Sequence, residues 1–151
     1  MNKHSIIENR RARFDYELEN EIEAGLVLKG WEVASIRRGR VQITGAHALV
    51  QNSEVFLLGS TITPLETTAN HTKPSSDRSR KLLLSRSEIR KLHGKCKERG
   101  FTLIPIRLYW KKNRVKCLIA LARGKSKFDK RATLKEREWK REQARWKKTA
   151  V

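Results

Sequence analysis

The stretch that decides the fold is residues 101–122, which read FTLIPIRLYWKKNRVKCLIALA. Residues 101–110 and 115–122 are rich in β-branched, aromatic and other apolar side chains, a composition typical of buried strands. The four residues between them, Lys111-Lys112-Asn113-Arg114, are polar and basic. The pattern therefore predicts two neighbouring antiparallel strands joined by a short turn.

Further strands are predicted on the N-terminal side of this hairpin. Polar and apolar residues alternate over residues 13–18, as in a half-buried strand. Residues 41–50 and 55–62 predict two more strands, joined by a turn at Asn52-Ser53. A short apolar run lies at residues 81–84.

Two helices are predicted among these strands. Apolar residues recur at helical spacing from Ala24 to Ala34, and Gly39 is suited to the helix C-terminus. Ser85 and Glu88 form a capping box that opens a second helix, expected to end near Gly100. Residues 66–80 predict an exposed loop, in which Pro74 disfavours a helix.

These elements predict a mainly β fold of the α+β class. Five or six short antiparallel strands with two inserted helices are best buried as a small barrel, because closure removes unpaired strand edges. We expect residues 1–8 to be a flexible N-terminus, residues 9–122 the barrel domain and residues 123–151 a basic C-terminal tail. One such domain fits the length of 151 residues.

The charge is distributed unevenly along the chain. The formal net charge is +19, yet residues 1–75 contain 9 basic and 9 acidic side chains, whereas residues 76–151 contain 26 and 7. This asymmetry predicts a polyanionic partner and disfavours an acidic activation domain or an ordinary metabolic enzyme.

No membrane, metal or cofactor site is expected. No apolar run approaches the length of a membrane span, and the N-terminus lacks the apolar region of a secretory signal. Cys96 and Cys117 are far apart and are interpreted as reduced thiols, and the four His residues lack zinc spacing. A cytoplasmic location fits these features best.

Nucleic acid is the polyanion that the sequence favours. Basic clusters lie at residues 9–13, 77–81 and 123–127. Lysine and arginine neutralise phosphates and give binding a strong dependence on salt. A solvated basic face would explain any one cluster but is a poor account of all three.

The tail has a different character from the barrel. A helix from about Ala132 would place Trp139 and Trp146 on one face, beside a stripe of basic residues. The apolar stripe is too thin to hold the helix against a core, so we expect the tail to be disordered when free and helical on its partner. The alternative is a solvated charged tail with two chance tryptophans.

Several motifs follow one another in an order that resembles one family. They are Asn9-Arg10-Arg11-Ala12-Arg13, Glu23-Ala24-Gly25, residues 30–37, Arg80-Lys81-Leu82-Leu83-Leu84, Leu108-Tyr109-Trp110-Lys111, Gly124-Lys125, Asp129-Lys130-Arg131 and residues 135–139. Together they are similar to the SsrA-binding protein (SmpB) family, the partner of transfer-messenger RNA (tmRNA). The resemblance covers nearly the whole chain, and it departs at Phe128, where the family usually has His.

The resemblance implies a fold, a function and site residues. The family fold is a six-stranded, oligonucleotide-binding-like (OB-like) antiparallel barrel. The family binds the tRNA-like domain of tmRNA and delivers it to stalled ribosomes for trans-translation, without being an enzyme or carrying a cofactor. The implied RNA-binding residues are Asn9, Arg10, Arg11, Glu23, Arg80, Lys81, Leu83 and Lys125. Those of the tail, expected at the decoding centre and mRNA channel, are Asp129, Lys130, Arg131, Trp139 and Trp146.

Some of these expectations have alternatives. Leu83 could contact an unstacked base or be plain core packing. The chain could be a generic basic barrel protein of the ribosome or of ribosome assembly, or a small cationic nuclease, although no catalytic motif supports the latter. A monomer bound one-to-one with RNA is the expected assembly.

Overall fold

The fold is built from nine strands and four helices among the residues described. The computed structural model describes residues 4–66, 74–98, 101–124 and 127–149. In chain order the elements are β1 (His4–Glu8), α1 (Arg10–Asp15), β2 (Tyr16–Leu26), α2 (Gly30–Arg37), β3 (Val41–Gln42), β4 (His47–Gln51), β5 (Glu54–Leu58), β6 (Thr61–Ile62), β7 (Arg80–Leu83), α3 (Arg86–Lys97), β8 (Phe101–Lys111), β9 (Arg114–Gly124) and α4 (Lys127–Thr149).

Six of the strands close into a ring. The antiparallel pairings run β8–β4–β5–β7–β2–β9, and β9 pairs again with β8. β1 adds to β8 outside this ring, while β3 and β6 form a separate two-stranded sheet. The predicted six-stranded antiparallel barrel is therefore confirmed.

The predicted turns are also confirmed. Asn52 and Ser53 have φ of 50° and 61°, and Lys112 and Asn113 have φ of 51° and 62°. Two successive residues with positive φ form the type I′ turn, whose twist matches that of the flanking strands. Gly39 follows α2 with φ of 73°, as expected of a residue just beyond a helix C-terminus.

A β-bulge in β8 organises one side of the barrel. Ile106 is the extra residue, since Pro105 pairs with Ile119 and Arg107 with Leu118. The bulge reverses which alternate residues face inward, so that Leu103 before it and Leu108 after it both pack in the core. The proline is tolerated here because a bulge does not require its missing N–H.

The bulge also divides one edge of β8 between two partners. β4 pairs at Leu103, and β1 pairs from Arg107 onward. Between these pairings, Asn9 lies against the bulge: its side-chain amide donates to the Pro105 carbonyl (3.0 Å) and its backbone N–H to the Ile106 carbonyl (2.7 Å). The Asn9 side-chain oxygen accepts from Ala12 N–H and thereby caps α1.

Apolar residues form one cluster inside the barrel and a second outside it. The inner cluster joins residues of the barrel strands with Ile36 of α2 and Leu92 of α3. The outer cluster lies on the exterior of β8 and β9 and is covered by Ala12 of α1; its other buried members are Ile104, Ile106, Ala120 and Ala122. α1 is therefore fixed to the barrel by its own apolar contacts as well as by Asn9.

The N-terminal expectations are corrected in two places. His4–Glu8 is not a loose segment but strand β1, because β8 offers it a free edge. The predicted strand over residues 13–18 begins only at Tyr16, since Asn9 starts the helix α1. β9 likewise continues to Gly124, two residues beyond the predicted end of the barrel.

The first helix is shorter than predicted, and two strands are interrupted. β2 runs to Leu26, which pairs with Leu82, so α2 begins only at Gly30. The predicted strand over residues 41–50 is divided by a turn at Gly45, whose φ is 82°. The predicted strand over residues 55–62 is likewise divided into β5 and β6.

The second helix and the tail bear on the remaining predictions. The capping box is present: Ser85 N–H donates to Glu88 (2.9 Å), and Glu88 N–H donates to the Ser85 hydroxyl (3.2 Å). The predicted end near Gly100 lies outside the described residues, and α3 ends at Lys97.

The tail is a helix that begins at Lys127, five residues before the predicted start at about Ala132. The sequence had predicted that the tail is disordered in the free chain and becomes helical on its partner.

A buried ionic network ties α2 to β7. Arg80 and Glu32 are both fully buried, and their side chains meet at 2.6 Å (Nε to Oε2). Glu32 also accepts from Arg78 and from the Lys29 N–H (2.7 Å). The remaining donors of the Arg80 guanidinium go to Ser60 and to the carbonyls of Arg78 and Ser76. Each nitrogen of the Arg80 guanidinium and both oxygens of the Glu32 carboxylate therefore have a hydrogen-bond partner.

This network lowers the pKa of Glu32. Burial by itself raises the pKa of the carboxyl group, but the hydrogen bonds from Arg78, the Lys29 N–H and Arg80 together outweigh it, and the pKa lies below its ordinary value of 4.5. A carboxyl group whose pKa is lower in the folded state stabilises the fold above its unfolded pKa. That contribution is lost as the pH falls through the folded value.

We predict that Glu32→Gln lowers the free energy of unfolding by about 3–5 kcal/mol at pH 7, because it leaves Arg80 buried without a counter-charge. As the pH falls from the ordinary value of 4.5 through the lower folded pKa, the difference from the parent chain should shrink, since Glu32 of the parent then becomes protonated. Denaturant unfolding at several pH values measures both effects.

Glu54→Gln is the matched control. Glu54 pairs with Lys81 at 3.7 Å, and both side chains are more than two-fifths exposed. An exposed pair of this kind contributes about 0–1 kcal/mol. Equal losses for the two variants would contradict the account of the Glu32 network.

Candidate nucleic-acid interface

Glu23 is held on the outer surface of the barrel by two side chains from β8. The Tyr109 hydroxyl donates to Glu23 Oε2, and Lys111 Nζ lies 3.0 Å from Oε1. The Glu23 side chain is 29% exposed, so a ligand can reach it. The pair of donors fixes the direction of the carboxylate before any ligand arrives.

Tyr109 acts as a donor because it stays protonated. Its side chain is buried, and burial raises the pKa of the hydroxyl group well above its ordinary value of 10; the hydrogen bond to the Glu23 carboxylate raises it further. The Arg107 guanidinium lies over the ring at 4.9 Å from its centre, a cation–π contact. The phenol is therefore fixed on both its face and its hydroxyl group.

Leu83 lies beside this carboxylate and points outward. It pairs with Gly25 across β2 and β7, and 53% of Leu83 is exposed, whereas Leu82 is buried in the core. A Cβ at position 25 would stand 3.2 Å from Leu83 Cβ, so the glycine gives Leu83 its space above the sheet. Core packing of Leu83 is therefore excluded, and the residue offers an apolar surface to a ligand.

The two basic residues of β7 have opposite environments. Lys81 is outward and half-exposed, and it makes a long contact with Glu54. Arg80 is inward and fully buried, and its guanidinium donates to Glu32, Ser60, Arg78 and Ser76. The prediction of Arg80 as an RNA contact is wrong, because its charge is used to neutralise Glu32.

Asn9 is also placed differently from the prediction. It is 4% exposed, and its side chain bonds to Pro105 and Ala12. The family resemblance implied that Asn9 contacts RNA, but the buried side chain does not present its amide to a nucleobase. Its structural role is to position α1 and the arginines that α1 carries.

Arg10 and Arg13 of α1 border a hollow of about 450 Å³ between the barrel and the tail. Arg10 and Arg11 are exposed, and Arg11 pairs with Asp15 at 3.2 Å. The hollow is lined by Arg10, Arg13, Arg107, Arg137 and Arg141, together with Glu8, Asn9, Glu21, Ile106 and Leu118. Such a concentration of guanidinium groups favours phosphate, which each group can bind bidentately.

The tail helix contacts α1, and the side chains described from it, at residues 131 and 134–145, are exposed. The Arg137 guanidinium lies 5.5 Å from the centre of the Phe14 ring. Trp139 is 54% exposed and Arg131 is exposed. Lys125 lies outside the described residues, as do the side chains of Asp129, Lys130 and Trp146.

The sequence did not identify the residues that hold Glu23. Tyr109 is 86 positions away from it in the chain, and no local pattern joins the two. Tyr109 and Lys111 stand in one of the motifs quoted above, but only the pairing of β8, β9 and β2 brings them to Glu23. A buried tyrosine beside an exposed carboxylate becomes visible only in three dimensions.

Metal sites and membrane spans are not found in the described parts of the chain. No group of three or more His, Cys, Asp or Glu side chains in them could hold a metal ion. None of the helices described is long and apolar enough to cross a membrane. Cys117 is buried, and burial raises the pKa of its thiol to about 12.

Comparison with known proteins gives a consistent result. The model of the SmpB protein family matches residues 6–149. The SsrA-binding protein of Burkholderia vietnamiensis is 55% identical over 141 residues, which is 93% of this chain and 95% of the relative. The SsrA-binding proteins of Burkholderia thailandensis (53%, covering 97% of this chain and 99% of the relative) and Cupriavidus taiwanensis (52%, covering 93% and 95%) are similar over comparable lengths.

A solved structure is also similar. It is described as "tmRNA-SmpB: a journey to the center of the bacterial ribosome", and it superposes with a TM-score of 0.67 at 42% identity. The match covers 82% of this chain and 86% of that chain.

We predict that Tyr109→Phe lowers the free energy of unfolding by about 1–3 kcal/mol, because Glu23 loses a charge-assisted hydrogen bond. Denaturant unfolding measures the loss. In an absorbance titration of the phenol groups up to about pH 11, Tyr109→Phe should behave like the parent chain, since Tyr109 does not ionise in that range. A smaller absorbance change in the variant would contradict the raised pKa.

Proposed function

We propose that this chain, which belongs to the SmpB protein family, is an RNA-binding adaptor for the tRNA-like domain of tmRNA (SsrA RNA). In this role it delivers tmRNA to stalled ribosomes for trans-translation and ribosome rescue. Its partners are then tmRNA and the ribosome, and its location is the cytoplasm. The matched family is one of adaptors rather than of enzymes.

The observation that carries the proposal is the pre-oriented pair of Glu23 and Leu83 on an otherwise basic barrel. Folded RNA is recognised through unstacked bases, 2′-hydroxyls and backbone shape. A fixed carboxylate accepts from a base amino group or a 2′-hydroxyl, and the exposed Leu83 offers an apolar contact to an unstacked base. Lys81 and the arginines of α1 then bind phosphates around this centre.

The tail supplies the second part of the function. α4 contacts α1 through Arg137 and presents Arg131 and Trp139 to solvent. We propose that Asp129, Lys130 and Arg131 engage the empty decoding centre, and that Trp139 and Trp146 stack or pack along the mRNA channel. The Lys125 position would contact a phosphate where the chain leaves the barrel.

The nearest alternative is a generic basic barrel protein of the ribosome or its assembly. Such a protein would bind RNA mainly through phosphates, and its affinity would depend little on the fold of the RNA. The fixed geometry of Glu23 and Leu83 favours the adaptor, because a general phosphate binder gains nothing from an oriented carboxylate.

We expect the full chain to bind a tRNA-like RNA more tightly than an unstructured RNA of equal length at every salt concentration tested. Leu83→Ala should weaken binding of the tRNA-like RNA about tenfold, because a base loses its apolar contact. Its free energy of unfolding should change by less than about 1 kcal/mol, since Leu83 is exposed. Fluorescence anisotropy and denaturant unfolding provide the two measurements.

The neighbouring Leu82→Ala serves as the control. Leu82 is 1% exposed, so this variant should lose about 2–5 kcal/mol of stability, and below its unfolding transition it should still bind RNA. If the tRNA-like and unstructured RNAs bound equally well to the parent chain, the adaptor proposal would fail.

Truncation after Gly124 separates the two parts of the function. We expect the truncated chain to retain binding of the tRNA-like RNA within about fivefold, because the Glu23–Leu83 surface lies on the barrel. It should not support release of stalled ribosomes in a reconstituted translation reaction. Loss of most of the RNA affinity would instead place the principal RNA site on the tail.

A further inference from the structure

A second basic surface lies on α3, which begins at Arg86, three residues after Leu83 of the first surface. Arg86, Arg90 and Lys97 are exposed and lie on one side of the helix, together with His93. At 100° per residue these four positions fall within about 60° of one another, and they extend over about 16 Å of the helix axis. Ile89, Leu92 and Cys96 occupy the adjacent face and pack against the barrel.

Two hollows lie beside this stripe, between α3 and the β4–β5 hairpin. One, of about 480 Å³, is lined by the hairpin residues Asn52, Ser53 and Glu54 and by Arg86, Ile89 and Arg90 of the helix. The other, of about 310 Å³, is lined by Ala48, Leu49, Val50, His93, Cys96, Lys97, Phe101, Thr102 and Leu103. We refer to the two hollows together as the helix groove.

The groove has basic side chains along its helix and apolar side chains at one end. Leu49 is 45% exposed there, although it is a large aliphatic residue, and Phe101 is half-buried beside it. Phosphates would be bound by the arginines and Lys97, while Leu49 and Phe101 can contact unstacked bases. This combination is typical of surfaces that bind single-stranded nucleic acid.

The exposed basic side chains of the groove are not tied up in ion pairs within the described parts of the chain. Within the described ranges, Arg86, Arg90 and Lys97 form no salt bridge. The carboxylates described beside the stripe have other partners: Glu88 accepts from Ser85 N–H in the capping box, Glu98 contacts Lys95, and Glu54, which itself lines the first hollow, contacts Lys81. The basic side chains therefore outnumber the carboxylates that an anionic ligand would meet in the groove.

Only the Leu49 end of the groove is separated from the Glu23–Leu83 surface by the order of the strands. Glu23 lies on β2 and Leu49 on β4, with β7 and β5 between them in the ring, whereas the Glu54 end lies on β5, next to Leu83 on β7. At about 4.8 Å between neighbouring strands, β2 and β4 are about 14 Å apart along the barrel wall. An RNA bound at Glu23 leaves room for another strand at α3.

We propose that the helix groove is a second RNA-binding site, which takes a single-stranded RNA segment while the Glu23–Leu83 surface holds a folded RNA. Arg86, Arg90 and Lys97 bind its phosphates, and Leu49 and Phe101 contact its bases. The site goes beyond the proposed function, since it requires a second RNA segment and does not depend on which folded RNA occupies the first surface.

The test compares two double variants of the same helix in the full chain. Arg86→Gln with Arg90→Gln removes two positive charges inside the groove. Lys91→Gln with Lys95→Gln removes two from the opposite, equally exposed side of α3. The probe is a fluorescein-labelled, single-stranded 12-nucleotide RNA, and fluorescence anisotropy is read at several salt concentrations.

The groove variant should bind the probe about tenfold more weakly than the parent chain, and the control variant less than about threefold more weakly. The slope of log affinity against log salt should fall by about 1.4 in the groove variant, since two phosphate contacts are lost. Leu49→Ala should weaken binding about threefold without changing that slope, because it removes an apolar contact. All five side chains are exposed, so the unfolding transitions should be unchanged.

Three outcomes would overturn the proposal. Equal losses for the two double variants would mean diffuse attraction by the net charge. Displacement of the probe by an equally charged polyglutamate peptide at the same concentration would point to an acidic protein segment as the partner. A tenfold loss of binding to a tRNA-like RNA in the groove variant would make the groove part of the first site. Failure of the parent chain to prefer the tRNA-like RNA would count against the proposed function but not against the groove.

Discussion

The structure depends on the bulge at Ile106 in β8, because this one extra residue allows a single strand to pair with three others, β1, β4 and β9. It lets β8 face the core with Leu103 before the bulge and Leu108 after it, while the other edge of the strand stays paired with β9. The carbonyls of Pro105 and Ile106 then accept from Asn9, which starts α1. Closure of the barrel, the addition of β1 and the position of α1 all meet at this point.

The functional surface follows from the same strand geometry. Successive residues of β7 face opposite sides of the sheet. Lys81 and Leu83 face outward, whereas Arg80 and Leu82 face the interior. Glu23 becomes a usable ligand group only because Tyr109 and Lys111 orient it from β8. Recognition by an oriented carboxylate and an exposed leucine requires a rigid support, and the closed barrel provides it.

The positive charge has several different uses in this molecule. Arg80 forms an ion pair with Glu32 inside the fold, Arg11 pairs with Asp15, and Lys111 pairs with Glu23. Within the described ranges, Arg86, Arg90 and Lys97 of α3 form no salt bridge, and their exposed side chains can bind ligands outside the chain. A net charge of +19 repels itself in the compact state, so bound polyanions should favour the folded chain as well as bind to it.

The sequence by itself determined the strands around residues 101–122, the positions of the two hairpin turns, the capping box at Ser85 and the asymmetry of charge. Each is set by residues within a few positions of one another, as are the motifs that carry the family resemblance. Only the tertiary structure decided that Arg80 and Asn9 are internal, that Leu83 is exposed, and that His4–Glu8 is a strand. The partners responsible are distant in the chain: Glu32 lies 48 positions from Arg80, and Pro105 lies 96 from Asn9. Local sequence patterns do not predict such pairings, because burial and hydrogen bonding are properties of the assembled barrel.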